Sequence, residues 1–139
     1  MQNLGDFVLE GMQMKNIENI QELEKLIGQL KALHSEIGQL ARKSPNDGIN
    51  SFKLKLINKT VARSNSLLGA EYSPFDDFEG FDEDDMPSNS DITMIIAQYL
   101  EEAERYRSNH VGQEYNKYYY KINGKLSEVR AAPPTWSKK

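Results

Sequence analysis

One stretch of apolar residues constrains the fold of this chain more than any other. Between residues 23 and 40, leucine or isoleucine recurs at alternating steps of three and four, the spacing of a heptad seam on an α-helix. Charged side chains flank the stripe, so only a narrow part of the helix surface is apolar. Such a stripe is best buried against another helix, in the same chain or in a second one. The heptad seam consists of Leu23, Leu26, Leu30, Leu33, Ile37 and Leu40.

Two further segments have apolar residues at helical spacing, so the sequence predicts a mainly α fold, a small antiparallel helical bundle. Pro45 ends the first helix, because proline cannot donate a backbone hydrogen bond and disfavours helix at the preceding residue. A polar turn follows, which predicts that the first two helices form an antiparallel hairpin. The alternation of residues 52–57 is also compatible with a strand, and that alternative stays open here. The predicted helices span about residues 17–43, 49–68 and 89–108.

Capping residues mark two of the helix starts. Either Asn16 or Asn19 can accept a hydrogen bond from the first turn of the first helix. Ser88 stands three residues before Asp91, a spacing typical of an N-cap, and it therefore predicts the start of the third helix.

The C-terminal part changes from helical to β periodicity. Two short alternating stretches flank Asn123-Gly124, the dipeptide that best adopts the positive φ angles of a type I′ turn. A β-hairpin over about residues 117–130 is therefore predicted, and it must pack on the helices because an isolated hairpin is marginal in water. We expect one domain over residues 15–131, with an N-terminal arm at 1–14 and a flexible tail at 132–139.

The net charge of −4 conceals a strong segregation of charge along the chain. Residues 64–104 hold twelve acids and no Lys, Arg or His, which gives −12. Residues 105–139 hold eight Lys or Arg against two acids, which gives +6. Such a chain either folds its acidic segment onto its basic segments or presents two surfaces of opposite sign. We expect the first of these arrangements.

Residues 71–88, named the acidic loop here, are too rich in like charges to form a helix. Three phenylalanines recur in it at three-residue intervals, so their rings can fix the loop to the bundle or insert into a groove of a partner. An EF-hand is excluded because Phe75 and Met86 occupy positions that require carboxylates. A looser divalent-cation site among residues 82–85 stays open. The phenylalanines are Phe75, Phe78 and Phe81.

The inventory of side chains argues against catalysis. The chain has no cysteine, which removes disulfides, thiolate metal sites and a thiol nucleophile. Its two histidines, His34 and His110, do not have the spacing of a metal-ligand motif, and no phosphate-binding glycine loop or serine nucleophile elbow occurs. The sequence therefore predicts no enzyme activity, no cofactor, no metal site and no small-molecule substrate.

The sequence also predicts no contact with the interior of a membrane. No run of about 18 apolar residues occurs. Residues 1–14 lack the basic start and the continuous apolar core of a secretory signal. Because the chain lacks cysteine as well, the cytoplasm is its expected location.

These observations favour a non-catalytic protein that interacts with other proteins, as an accessory subunit of a larger assembly or by self-association. Its predicted contacts are the helix at 17–43 and the acidic and aromatic residues of 75–86. The predicted interface residues are those of the heptad seam with Phe75, Phe78, Phe81, Asp82, Asp84 and Asp85.

Two alternatives remain. In the first, the hairpin binds nucleic acid, with tyrosines that stack on bases and cations that contact phosphates. In the second, the acidic loop mimics a nucleic-acid backbone and inhibits a basic partner protein. The predicted nucleic-acid contacts are Lys117, Tyr118, Tyr120, Lys121, Lys125 and Arg130.

Overall fold

A computed structural model of the protein describes residues 10–135, which form three α-helices followed by an antiparallel sheet of three strands. The mainly α fold and the C-terminal hairpin are therefore confirmed. Residues 1–9 and 136–139, which belong to the predicted arm and tail, lie outside the described residues. The elements are α1 (Ile17–Lys43), α2 (Ser51–Tyr72), α3 (Asn89–Asn109), β1 (Val111–Glu114), β2 (Lys117–Ile122) and β3 (Lys125–Arg130).

The start of α1 is set by a reciprocal pair of asparagines. The Asn16 side chain accepts a hydrogen bond from the backbone N–H of Asn19 at 2.9 Å, and the Asn19 side chain accepts one from the backbone N–H of Asn16 at 3.2 Å. This capping box satisfies two donors that the first turn leaves free. Of the two predicted caps, Asn16 is therefore the N-cap, and Asn19 is its partner inside the helix.

The second helix includes the segment whose alternation also allowed a strand. Its N-cap is Asn50, and Leu54, Ile57 and Val61 are buried at helical spacing. The regular helix ends at Gly69, whose φ of 66° lies in the left-handed region that glycine adopts without steric cost. One more turn follows as far as Tyr72, so residues 71 and 72 are helical and the acidic loop as observed spans residues 73–88.

The heptad seam of α1 is covered by the chain's own helices. Leu23 and Leu30 expose none of their surface, and Leu26 and Ile37 expose 1% each. Leu33 and Leu40, the remaining two members of the seam, are half-buried. Both α2 and α3 pack against α1. The helical partner required by the seam is therefore supplied within one chain.

Helix α1 runs antiparallel to α2, as predicted. Lys53 Nζ contacts Glu36 Oε2 at 2.9 Å, and Arg63 Nη1 donates to Gln29 Oε1 at 2.6 Å. A step forward along α2 thus corresponds to a step backward along α1.

Helices α2 and α3 run parallel to each other. The hydroxyl of Tyr99 donates to Asn65 Oδ1 at 2.8 Å, and the rings of Tyr72 and Tyr106 meet edge to face at 5.2 Å. From the first contact to the second, the residue on α2 and the residue on α3 each lie seven positions further along the chain. This arrangement requires the acidic loop to return along the whole length of α2 before α3 begins.

The sheet has the order β1-β2-β3 and two tight turns of two residues each. Asn123 and Gly124 have the predicted positive φ angles, 53° and 78°. The turn between β1 and β2 was not predicted because it contains no glycine; Tyr115 and Asn116 adopt φ angles of 54° and 64° there. Strand β1 therefore extends the predicted hairpin to a three-stranded meander.

The inner face of the sheet packs on the helices. Tyr120 exposes 1% of its surface, and Tyr118 contacts the same core. The backbone N–H of Asn123 donates to the carbonyl of Met14 at 2.8 Å, so residues just before α1 are also fixed to the sheet. Within residues 10–135, no helix has both the length and the hydropathy needed to cross a membrane.

Candidate interaction surfaces

The acidic loop is held in place by polar side chains of α2. Asn58 acts like a strand partner: its Nδ2 donates to the Phe81 carbonyl at 2.9 Å, and its Oδ1 accepts from the Phe81 N–H at 2.8 Å. Two turns further along, Asn65 Nδ2 donates to the Phe78 carbonyl at 2.8 Å. Because seven residues make nearly two turns, the side chains that hold the loop share one face of the helix. They are Ser51, Asn58 and Asn65.

Glycine at position 80 permits this close approach. Its φ is 152°, and a Cβ at this position would lie 2.9 Å from Asn58 Oδ1. A larger residue would therefore push the loop away from the asparagine that fixes it.

The three phenylalanine rings of the loop pack toward the bundle. Phe75 and Phe78 meet edge to face at 5.9 Å, and Phe78 and Phe81 do so at 5.2 Å. Phe75 also lies 6.1 Å from the ring of Tyr99, a fully buried residue of α3 whose pKa is raised by burial. Of the two uses predicted for the rings, the structure shows the first, attachment to the chain's own core.

The last part of the acidic loop exposes four consecutive acids, Asp82 to Asp85, named the acidic end here. They form a short 3₁₀ turn in which Asp82 accepts a hydrogen bond from the backbone N–H of Asp84 at 2.9 Å. Ser51 Oγ donates to Glu83 Oε2 at 2.9 Å, which ties the turn to the start of α2. No ion pair joins any acid of the loop to a base within residues 10–135.

The acidic end lies beside the N-termini of α2 and α3. The two helix starts are joined by backbone hydrogen bonds: Ile49 N–H to the Pro87 carbonyl at 3.3 Å, and Asn89 N–H to the Asp47 carbonyl at 2.9 Å. Parallel helices place both positive dipole ends at this end of the bundle, which is the sign that favours nearby carboxylates.

The outward face of the sheet carries charge of the opposite sign. Alternate residues of β2 point away from the core, and Tyr119 pairs across the sheet with Arg130, whose guanidinium lies 5.6 Å from the ring centroid. This surface, the basic sheet face, consists of Lys117, Tyr119, Lys121 and Arg130, with one acid, Glu114, opposite Lys117 on β1.

The predicted nucleic-acid contacts divide between the two faces of the sheet. Lys117, Lys121 and Arg130 lie on the basic sheet face, and Lys125 is exposed beside the second turn. Tyr118 and Tyr120 were predicted to stack on bases, but they point inward and pack on the core. The side-chain alternation of a strand puts Tyr119 outward in their place.

The acidic end and the basic sheet face lie at opposite ends of α3. The acidic end precedes the first residue of α3, and β1 begins two residues after its last. A helix of 21 residues spans about 31 Å. The prediction that the acidic segment folds onto the basic C-terminal segment holds only for Glu102 and Glu104, which pair with Arg105 and Arg107. The acidic end is not neutralised by the basic sheet face of the same chain. The molecule presents two separate surfaces of opposite sign.

A cleft of about 440 Å³ lies between α1, α3 and the residues that follow β3. Its buried cation, Arg107, binds Glu104 through two hydrogen bonds of 2.8 and 2.7 Å and donates to the Ala132 and Pro133 carbonyls at 2.9 Å each. Residues 132–135, which we expected to be a loose tail, are thus fixed to α3. The guanidinium of Arg107 is hydrogen-bonded to groups of the same chain, so its burial in the cleft is explained by its structural role.

The other buried polar group of this cleft is Tyr120. Its hydroxyl donates to Glu24 Oε2 at 3.0 Å. Burial, together with the neighbouring carboxylate of Glu24, raises the pKa of Tyr120 to about 12. The phenol is therefore neutral at physiological pH and ties the sheet to α1.

Glu104 gives a pH-dependent contribution to stability. Burial alone would raise its pKa, but hydrogen bonds from Arg107 and Thr135 outweigh burial and lower the pKa below its ordinary value of 4.5. A lowered pKa in the folded state stabilises the fold above the unfolded-state value, and this stabilisation is lost as the pH falls through the folded-state value. We expect Glu104→Gln to be less stable than the wild type at neutral pH, by a margin that shrinks below pH 4.5. Urea denaturation between neutral pH and about pH 3 measures this margin.

Glu22 is exposed on α1, and Glu22→Gln is the matched control. We expect this variant to be as stable as the wild type over the same pH range. A Glu104→Gln deficit that stayed constant across the pH range would contradict the assignment.

Within residues 10–135, neither histidine belongs to a group of side chains that could hold a metal ion. His110 stacks on Tyr106 at 4.3 Å, and its Nδ1 lies 2.7 Å from that residue's carbonyl oxygen. His34 is half-buried on α1. In the part of the chain that the structure describes, no three His, Asp or Glu side chains are grouped so that they could hold a metal ion, and this includes the acids of residues 82–85.

Comparison with protein-family models, with curated proteins and with solved structures finds no match for this chain. Geometry and charge are thus the basis for assigning a function.

Proposed function

We propose that this protein is a non-catalytic interaction protein, an accessory subunit that binds a basic protein surface through its acidic end. One observation carries the proposal. The four acids from Asp82 to Asp85 are exposed in one fixed turn and form no ion pair with any base in residues 10–135.

The fixed conformation of the loop supports this function. An unattached acidic segment would lose conformational entropy on binding, and that loss would weaken the complex. Here the hydrogen bonds of Asn58 and Asn65 and the packing of the phenylalanine rings have already ordered the loop. The carboxylates are therefore preorganised, and their field can steer a basic partner toward them.

The proposed contact differs in part from the predicted one. The heptad seam is buried by α2 and α3, and the phenylalanines face the bundle, so the exposed acids Asp82, Asp84 and Asp85 remain as the partner-binding residues. The cytoplasm remains the proposed location, because a chain without cysteine is suited to a reducing compartment.

The proposal is tested by titrating the protein with octalysine, a peptide of eight lysines, at low ionic strength in a calorimeter. We expect binding that the triple variant Asp82→Asn, Asp84→Asn, Asp85→Asn weakens by on the order of tenfold, since each exposed charge pair contributes about 0.2–1 kcal/mol. Asparagine at 82 keeps the oxygen that caps the 3₁₀ turn, so the turn is retained. A triple variant that binds octalysine as tightly as the wild type would refute the proposal.

A matched control removes three exposed acids elsewhere, by Glu22→Gln, Glu101→Gln and Glu128→Gln. This variant has the same net charge as the loop variant, so it isolates the position of the acids from the total charge. We expect it to bind octalysine nearly as well as the wild type.

The role of preorganisation is tested by Asn58→Ala, which releases the loop without changing its charge. Loss of the two hydrogen bonds to Phe81 is expected to weaken octalysine binding several-fold through the entropy of the loop. Equal affinities of the variant and the wild type would show that the fixed conformation is irrelevant to binding.

A second candidate function is binding of single-stranded nucleic acid by the basic sheet face. The observation in its favour is that an outward Tyr119 lies among three cations, an arrangement suited to one stacked base and its neighbouring phosphates. Retention on single-stranded DNA should fall steeply with salt and disappear in Lys117→Gln, Lys121→Gln, Arg130→Gln. The remaining alternative, mimicry of a nucleic-acid backbone by the acidic end, requires the basic partner to be a nucleic-acid-binding protein that DNA displaces.

A further inference from the structure

The two charged surfaces of this molecule complement each other, but one copy cannot join them because the length of α3 separates them. We propose that copies of the chain associate head to tail, with the acidic end of one copy docked on the basic sheet face of the next. The inference rests on the proposed function of the acidic end and names a second copy as the basic partner.

Charge is the first observation that supports this contact. The acidic end offers four carboxylates on one short turn, and the basic sheet face offers three cations on two neighbouring strands. No ion pair neutralises the loop acids from inside residues 10–135. Glu114 lies opposite Lys117 on the neighbouring strand and offsets one of these cations, so the two surfaces are opposite in sign and the acidic end has the larger charge.

Exposed apolar side chains provide the second observation. Met86 directly follows the acidic end and exposes 74% of its surface. On the basic sheet face, Leu126 exposes 40% and pairs across the sheet with Lys121. Its side chain reaches across β2 to lie over Gly112, where a Cβ would come within 2.6 Å of Leu126 Cδ2. Each charged surface thus has an apolar side chain beside it, and contact between Met86 and Leu126 would remove both from water.

The geometry of the contact determines the form of the assembly. The two surfaces differ, so the interface is heterologous. A docked pair of copies therefore still has one free acidic end and one free basic sheet face. The assembly therefore grows as an open chain unless its rotation closes a ring. Exposed charges are screened over about 8 Å at physiological ionic strength, so association should be strongest at low salt.

The test is sedimentation velocity of the full chain over a range of protein concentrations. At low ionic strength, the weight-average mass of the wild type is expected to rise with concentration beyond twice the monomer mass and to return to the monomer mass in high salt. One variant removes the acidic end by Asp82→Asn, Asp84→Asn and Asp85→Asn. The other removes the basic sheet face by Lys117→Gln, Lys121→Gln and Arg130→Gln.

The decisive sample is an equimolar mixture of these two variants. Each variant alone lacks one of the two surfaces and is expected to remain monomeric. The mixture retains one intact surface of each kind, so it should form a dimer of one copy of each variant and stop at twice the monomer mass. Wild-type protein that remains monomeric at low salt, or a mixture that remains monomeric while the wild type associates, would overturn the proposal.

Two further measurements separate this proposal from the function proposed above. Wild-type protein that binds octalysine but remains monomeric would refute head-to-tail association and leave the proposed function intact, whereas failure of both would refute both. Wild-type protein that remains monomeric but binds single-stranded oligothymidylate through the basic sheet face would show that nucleic acid, and not a second copy, occupies that face.

Discussion

Replacement of Leu30 by alanine is expected to lower the free energy of unfolding by about 3 kcal/mol, because truncation of a fully buried leucine loses its transfer free energy and leaves a cavity. Leu30 exposes none of its surface between α1 and the other helices. Urea denaturation in high salt measures the effect. The matched control is Leu33→Ala, at a half-buried position of the same heptad seam, for which about 1 kcal/mol is expected.

The same experiment distinguishes an intramolecular seam from one that joins two chains. A core within one chain unfolds at a midpoint that does not depend on protein concentration, whereas a seam between chains is stabilised by mass action. High salt suppresses the proposed head-to-tail contact, so that contact does not disturb the comparison. A midpoint that rises with concentration, or a Leu30→Ala loss no larger than that of Leu33→Ala, would contradict the structure.

Replacement of Arg107 by leucine is expected to cost about 3 kcal/mol, because it leaves the Glu104 carboxylate and two backbone carbonyls without their donor. The side chains of Arg107 and Glu104 expose 8% and 18% of their surface, so solvent compensates for little of the loss. Denaturant unfolding provides the measurement. The control is Arg105→Leu, two residues away and 42% exposed, for which a loss within about 1 kcal/mol is expected.

A double variant sharpens this result. Removal of both charges, by Arg107→Leu with Glu104→Leu, should recover part of the stability lost in the single variant, because no unpaired buried charge remains. If Arg107→Leu alone costs no more than Arg105→Leu, the network around Arg107 does not hold residues 132–135 in the way described.

The helices were predictable because their signals are local. The Asn16 cap and Pro45 set the bounds of α1, and Ser88 sets the start of α3. Strand β1 was missed because Tyr115 and Asn116 form its turn without the glycine that usually marks one.

The attachment of the acidic loop was not predictable, because it depends on a tertiary arrangement. Asn58 and Asn65 appear in the sequence as ordinary surface residues of an amphipathic helix. Their seven-residue spacing indicates a role in holding the loop only once the loop is known to return along α2. The separation of the two charged surfaces was not predictable either. Composition shows that opposite charges exist, but only the direction of α3 shows that the acidic end and the basic sheet face lie too far apart to meet.

The parallel arrangement of α2 and α3 also has a consequence for the order of folding. Contacts within the α1–α2 pair and within the sheet join segments that are near in sequence, so they can form early. Tyr99 of α3 reaches Asn65 only when the intervening chain has turned back on itself, and that same asparagine holds Phe78. Docking of α3 and ordering of the acidic loop should therefore be one cooperative, late event, so that the amide proton of Phe81, which is hydrogen-bonded to Asn58, exchanges with solvent only when α3 detaches.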